Sequence, residues 1–176
     1  MVCPGCGHDN IQGAFTCEGC GTDLAGFDLY DEKEHTGLGR HILHDPVKNA
    51  GPLKPLVAAT TATIWDAIRI MREGRHGSVL VVDRGSEDRL VGIFTERDVL
   101  TRVWGAGLDI NATPVARVMT AGPVTLTEDS SIAHAIHLMA MKGFRHIPIV
   151  RENRPIGFVS VRGILKYIAD QVLAHE

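Results

Sequence analysis

Apolar residues recur along this chain in two periods, and the whole alternation occurs twice. Ile64, Ala67, Ile68 and Met71 fall at i, i+3, i+4 and i+7, the stripe of a helix with one buried face. Sixty-eight positions on, Ile132, Ala135, Ile136 and Met139 repeat it. Behind each stripe come two short apolar runs joined by a polar turn: Ser78–Asp83 and Arg89–Phe94, then His146–Val150 and Pro155–Val159. Runs of that length with such boundaries predict strands. Val79, Val81 and Val82 match Ile147, Ile149 and Val150; at an offset of 65, Val91 to Thr95 match Ile156 to Ser160. A short extended piece precedes each stripe (Leu56–Ala59, Val124–Thr127), and a helix closes each copy (Thr95–Trp104, Ser160–Leu173).

The predicted fold class is therefore α+β, with a β-α-β-β-α unit present twice. One unit of about fifty residues has too small a core to stand alone. The two are expected to pack about a pseudo-twofold axis. The divisions expected are a cysteine-bearing head over 1–26, a linker over 27–54, and repeats over 55–110 and 111–176.

Composition changes this picture little. The chain has 176 residues, 44% hydrophobic and 22% charged, a globular balance. No apolar run reaches the ~18 residues of a membrane span, and no basic-then-apolar segment opens the chain, so a cytoplasmic protein is expected. Charge is uneven within a net of −3. Residues 1–32 hold Asp9, Glu18, Asp23, Asp28, Asp31 and Glu32 but no Lys or Arg, leaving 18 basic against 15 acidic groups in the remainder. An acidic head cannot neutralise phosphates, which speaks against nucleic acid and for a protein partner.

All four cysteines lie in that head, as Cys3-Pro-Gly-Cys6 and, fourteen residues on, Cys17-Glu-Gly-Cys20. Structural disulfides are rare in the cytosol. Four thiolates at this spacing suit tetrahedral Zn²⁺, and four closed ligands leave no open position for catalysis. The candidate metal ligands are Cys3, Cys6, Cys17 and Cys20, in a structural zinc ribbon whose folding energy comes from the metal. A redox pair usually opens a helix in an α/β domain, a pattern absent here. His8, and the linker histidines His35, His41 and His44, read as solvated. His134 and His137, three apart on a helix, read as surface or interface residues rather than a metal pair.

In each repeat a Gly-led strand ends in a hydroxyl residue that opens a helix. A helix start favours a phosphate. Thr95 adds a hydroxyl, Arg97 a guanidinium, and Asp98 a carboxylate able to accept from both hydroxyls of a ribose. Thr95-x-x-Asp98 reads equally as a helix-capping pattern.

Residues 55–174 resemble a tandem pair of CBS domains, a Bateman module. The resemblance is carried by Gly92-Ile-Phe-Thr95-Glu-Arg-Asp98, by Gly157-Phe-Val-Ser160-Val-Arg162-Gly163, and by Gly143-Phe-Arg145-His146-Ile-Pro148. It implies adenine-nucleotide binding (AMP, ADP or ATP, with NAD or S-adenosylmethionine also in the family's range). It implies ligand residues Thr95, Arg97, Asp98, Arg145, His146, Ser160 and Arg162, with backbone near Val57 and Ala58 reading the adenine. It also implies a homodimer associating through helices, consistent with the apolar Leu100, Val103 and Trp104. Gly163 stands where the first repeat has Asp98, so one good and one altered site are expected. No nucleophile–base pair, paired carboxylates or NTPase loop is present, so a regulatory protein rather than an enzyme is expected. The competing expectation is an interaction adaptor whose repeats serve mainly as a dimerisation scaffold.

Overall fold

The first amphipathic stripe becomes a helix because Thr63 starts it and charge closes its first turn. In the computed structural model of the chain, which describes residues 1–3, 5–11, 14–25, 42 and 44–173, helix α1 spans Ile64–Gly74. The Thr63 hydroxyl accepts from the Asp66 amide, and the Asp66 carboxylate accepts in return from the Thr63 amide. Ile64, Ala67 and Met71 form its buried face. Residues 26–41, with His35 and His41, lie outside the described residues, and His44 is exposed.

The chain divides into two compact units. One, here the strand unit, comprises Leu53–Thr125 and His146–Phe158. It holds β1 (Val57–Ala59), β2 (Ser78–Asp83), β3 (Arg89–Thr95) and β4 (Thr120–Ala121) in the order β1-β2-β3-β4. β1 runs parallel to β2 with α1 as the crossover, and the other neighbours are antiparallel. All of β2 but Asp83 is buried. Its alternation sends Val79 and Val81 into a cluster with Ala58, Ile64, Ala67, Met71 and Phe94. Leu80 turns the other way, to Leu90, Ile93 and Phe158.

Helix α2, Glu96–Asp98, continues as a π turn over Val99–Val103 rather than as the regular helix expected over Thr95–Trp104. Three β-branched residues, Val99, Thr101 and Val103, crowd this turn, and the Thr101 hydroxyl donates to the Arg97 carbonyl four residues back at 2.8 Å, a bond that loosens helices. The extended piece expected at Val124–Thr127 is also different. Gly122 adopts φ 56° ahead of Pro123, and the residues pairing with β3 are Thr120 and Ala121 instead. The hairpin of β5 (His146–Arg151) and β6 (Arg154–Ser160) turns through Glu152 and Asn153, both at positive φ, the geometry that suits twisted strands.

The second unit, here the head unit, comprises Met1–Pro52, Leu126–Arg145 and Val159–Glu176. It contains helices α3 (Ile132–Lys142) and α4 (Val161–Leu173), a 3-10 turn over Val47–Ala50, and the cysteine head. The 3-10 turn, within the expected linker, is built like a part of the repeat. Val47 donates to the Ser130 carbonyl and Ile132 to the Asp45 carbonyl, as 68 residues later Val115 donates to Ala62 and, reciprocally, Ile64 to Thr113. Val47 and Val115 are both fully buried. Among the described residues, no helix is long and apolar enough to cross a membrane.

Candidate functional site

Local chain geometry assembles the cysteine cluster. Cys3 N donates to the His8 carbonyl and Gly7 N to that of Cys3; fourteen residues on, Cys17 N donates to Thr22 and Gly21 N to Cys17, all at 2.8 Å. Gly7 and Gly21 adopt φ 74° and 70°, a conformation that side chains resist. The two knuckles are thus copies of one turn. Their four sulfurs all lie within 4.8 Å of one another. Cys3 and Cys20 Sγ are 3.7 Å apart, and Cys6 and Cys17 Sγ 3.5 Å. Zinc–sulfur bonds of ~2.3 Å in a tetrahedron separate sulfurs by about 3.8 Å, so the donors fit zinc.

The protons on this cluster are unequally held. At Cys17 burial opposes ionisation, yet the Cys20 backbone amide and the Asn10 side chain draw the thiol down to about 6. Cys20 is also lowered, burial being outweighed by hydrogen bonds from Thr22. Burial raises Cys3. At Cys6 the His8 amide favours the thiolate, but the surrounding sulfurs push it up to about 12. Four crowded sulfurs thus hold their protons unequally, and a dication would displace those that remain.

The glycine inside each knuckle faces an imidazole. A Cβ at Gly19 would lie 2.9 Å from the His8 side chain. A Cβ at Gly5 would lie 2.7 Å from His134 Cε1, and 3.0 Å from both its Nδ1 and the Thr22 hydroxyl. His134, expected at a surface or interface, is only 7% exposed, and its seat beside Gly5 was not legible from local spacing.

The candidate ligand residues divide between the units. Thr95, Arg97, Asp98 and His146 belong to the strand unit; Arg145, Ser160 and Arg162 belong to the head unit. The capping reading of Thr95-x-x-Asp98 holds in the structure, where the carboxylate closes a capping box. Asp98 Oδ2 accepts from the Thr95 amide at 2.9 Å and hydroxyl at 2.6 Å, while Oδ1 lies 3.3 Å from Arg102. Arg97 is exposed on the same turn. His146 packs edge-on against Phe158, with ring centres 5.7 Å apart. Ser78, expected only as the start of a strand, pairs in register with Thr95; its hydroxyl is buried and without a hydrogen-bond partner among the described residues.

In the head unit the Ser160 hydroxyl accepts from Gly163 N at 3.1 Å, and Arg162 is exposed beside it. The Arg145 carbonyl accepts from Val161 N. A Cβ at Gly163 would lie 3.3 Å from the Ala50 carbonyl oxygen. The place that Asp98 fills in the first repeat is thus pressed by backbone in the second. Tyr167, the counterpart of Arg102, donates its hydroxyl to Asp45 instead.

The family model described as CBS domain matches residues 48–105 and 115–170, which leaves the cysteine head outside. An uncharacterized 17.7 kDa protein of Acidianus ambivalens is 34% identical over 125 residues, 70% of this chain and 73% of that protein. An uncharacterized conserved protein from Pyrococcus horikoshii has a crystal structure that superposes with a TM-score of 0.63 at 28% identity, covering 70% of this chain and 91% of that one. A CBS domain protein from Pyrobaculum aerophilum, solved in complex with AMP, superposes with a TM-score of 0.62 over 71% of this chain and 98% of that one. At 24% identity this last likeness is one of fold.

Proposed function

Because the chain belongs to the CBS-domain family, we propose that it is a regulatory protein that binds an adenine nucleotide in its first repeat and carries a structural zinc ion in its head. The observation that carries the reading is the Thr95–Asp98 turn. A hydroxyl, a guanidinium and a carboxylate stand within four residues at a helix start, beside the unpartnered Ser78 hydroxyl. The AMP held by the Pyrobaculum protein supports the ligand class.

In this reading the strand unit engages the sugar-phosphate through Thr95, Arg97 and Asp98, with His146 as a further phosphate contact. Ser160 and Arg162 form an altered second site that lacks a ribose acceptor. The protein is cytoplasmic and works by linkage: a ligand that prefers one arrangement of the repeats shifts the population toward it. It is not a catalyst.

Leu100, Trp104 and Leu165 are 70%, 82% and 61% exposed, and Leu100 and Leu165 match between repeats. They favour a homodimer formed through these helices. They equally favour the second reading, an adaptor whose repeats are a dimerisation scaffold and whose acidic head docks a protein. A thermal-shift screen with AMP, ADP, ATP, NAD and S-adenosylmethionine tests the choice. Stabilisation that grows with ligand concentration is expected, and none at millimolar ligand favours the scaffold.

A further inference from the structure

We propose that the head is seated on the second repeat through His134, so that metal occupancy of the four cysteines is felt at the first turn of α3. This inference rests on the metal reading above and adds to it a receiver within the fold.

Head and receiver belong to the same compact unit. Gly5 lies between Cys3 and Cys6, and its lack of a side chain is what admits the imidazole: any Cβ would stand 2.7 Å from His134 Cε1. The second knuckle reaches the same place. The Thr22 hydroxyl, 3.0 Å from that Cβ position, shares a hydrogen bond with Cys20 Sγ at 3.0 Å. Both halves of the cysteine cluster therefore meet at Gly5, the residue that faces the ring. The ring's Nδ1 finds no hydrogen-bond partner among the described residues, so shape rather than a polar bond defines the seat.

The receiving turn is a junction. The Ser131 hydroxyl accepts from His134 N at 3.1 Å, and Ser131 forms a bridge with Pro46. Ile132 N donates to Asp45, which also accepts from Tyr167 on α4. Lys48 Nζ reaches Asp129 at 2.7 Å. A metal-folded head resting on His134 thus buttresses the strap of residues 45–50, the start of α3 and, through Tyr167, the middle of α4. Without metal the cysteine turns lose what holds them, and the buttress goes with them.

Hydrogen exchange read by mass spectrometry on the full chain tests this, comparing zinc-loaded protein with protein stripped by a chelator. Stripping is expected to raise exchange at least tenfold in residues 131–137 as well as in the head, with residues 64–71 unchanged. Gly5→Val is expected to keep one zinc per chain by metal analysis yet exchange at 131–137 like the stripped parent. Should that variant fail to hold zinc, His134→Ala, which leaves the head's own residues intact, carries the same expectation. Unchanged exchange at 131–137 in the stripped protein, or in a zinc-holding variant, overturns the proposal. A parent that binds no zinc overturns the metal reading and the coupling together. The Gly5→Val arm then still reports whether the seat itself exists.

Discussion

Asp66 and His134 occupy the same position in the two repeats, 68 residues apart, and their amides donate to equivalent helix caps, Thr63 and Ser131, each at 3.1 Å. Asp66 then returns its carboxylate to the cap. His134 turns its ring under the Gly5 backbone instead. One sequence position thus closes a helix start in the first repeat and receives the head in the second.

His134 makes stability depend on pH in a definite direction. Burial, aided by the nearby His137, lowers its pKa in the folded chain below the ordinary 6.5. The unfolded chain therefore binds the proton more readily, and stability falls as pH drops through 6.5 toward the lowered value. Urea denaturation of the parent and of His134→Gln at pH 7.5 and 5.5 measures this. The parent should lose more than the variant between the two values, and equal losses would contradict the burial argument.

Zinc binding should release protons, chiefly from Cys6 and Cys3, whose thiols are raised. Calorimetric titration in buffers of different ionisation enthalpy counts them, and affinity should fall as pH falls. Outer hydrogen bonds to a metal ligand are worth roughly 10–100-fold in affinity, so replacing the ligand itself, in Cys17→Ser, should cost more than about 100-fold.

Asp98→Asn separates capping from binding. The amide oxygen still accepts from the Thr95 amide and hydroxyl, and only the ion pair with half-exposed Arg102 is lost, so stability should change by less than about 1 kcal/mol. AMP affinity should fall at least tenfold, about 1.4 kcal/mol. Titration calorimetry on the parent should also find one strong site per chain, and two equal sites would refute the asymmetry drawn from Gly163.

Helix α1 ends at Arg75 in the left-handed region, φ 55°, where α3 ends at Gly143, φ 67°. A side chain there costs about 1–2 kcal/mol before any compensation. Arg75→Gly should raise the free energy of unfolding by about 1 kcal/mol, read from the denaturation midpoint.

The repeats were legible because their apolar periods are long and local. Ser78–Asp83 has the bounds its run of valines predicts, and both amphipathic stripes are helices. The cysteine cluster was legible for the same reason, since each pair closes within a few residues. What escaped was short or distant. Pro46-Val47 matches Pro114-Val115 at the repeat offset, a signal that the first repeat reaches back into the expected linker, but a single 3-10 turn has no period to announce it. The two-residue strand Thr120–Ala121 exists only because β3 is there to pair with it. The meeting of Gly5 with His134 joins residues more than a hundred positions apart, and spacing within either segment carries no trace of it.

The duplicated turns of the head would let it be rotated end for end, offering Gly19 where Gly5 now rests. His8 forbids the exchange. Its side chain already fills the space over Gly19 at 2.9 Å, whereas its counterpart Thr22 brings only a small hydroxyl to within 3.0 Å of the Cβ position at Gly5. A nearly symmetric clip is thereby given a single polarity. The body can accept it one way round only, and the face that remains outward is the one bearing its own histidine.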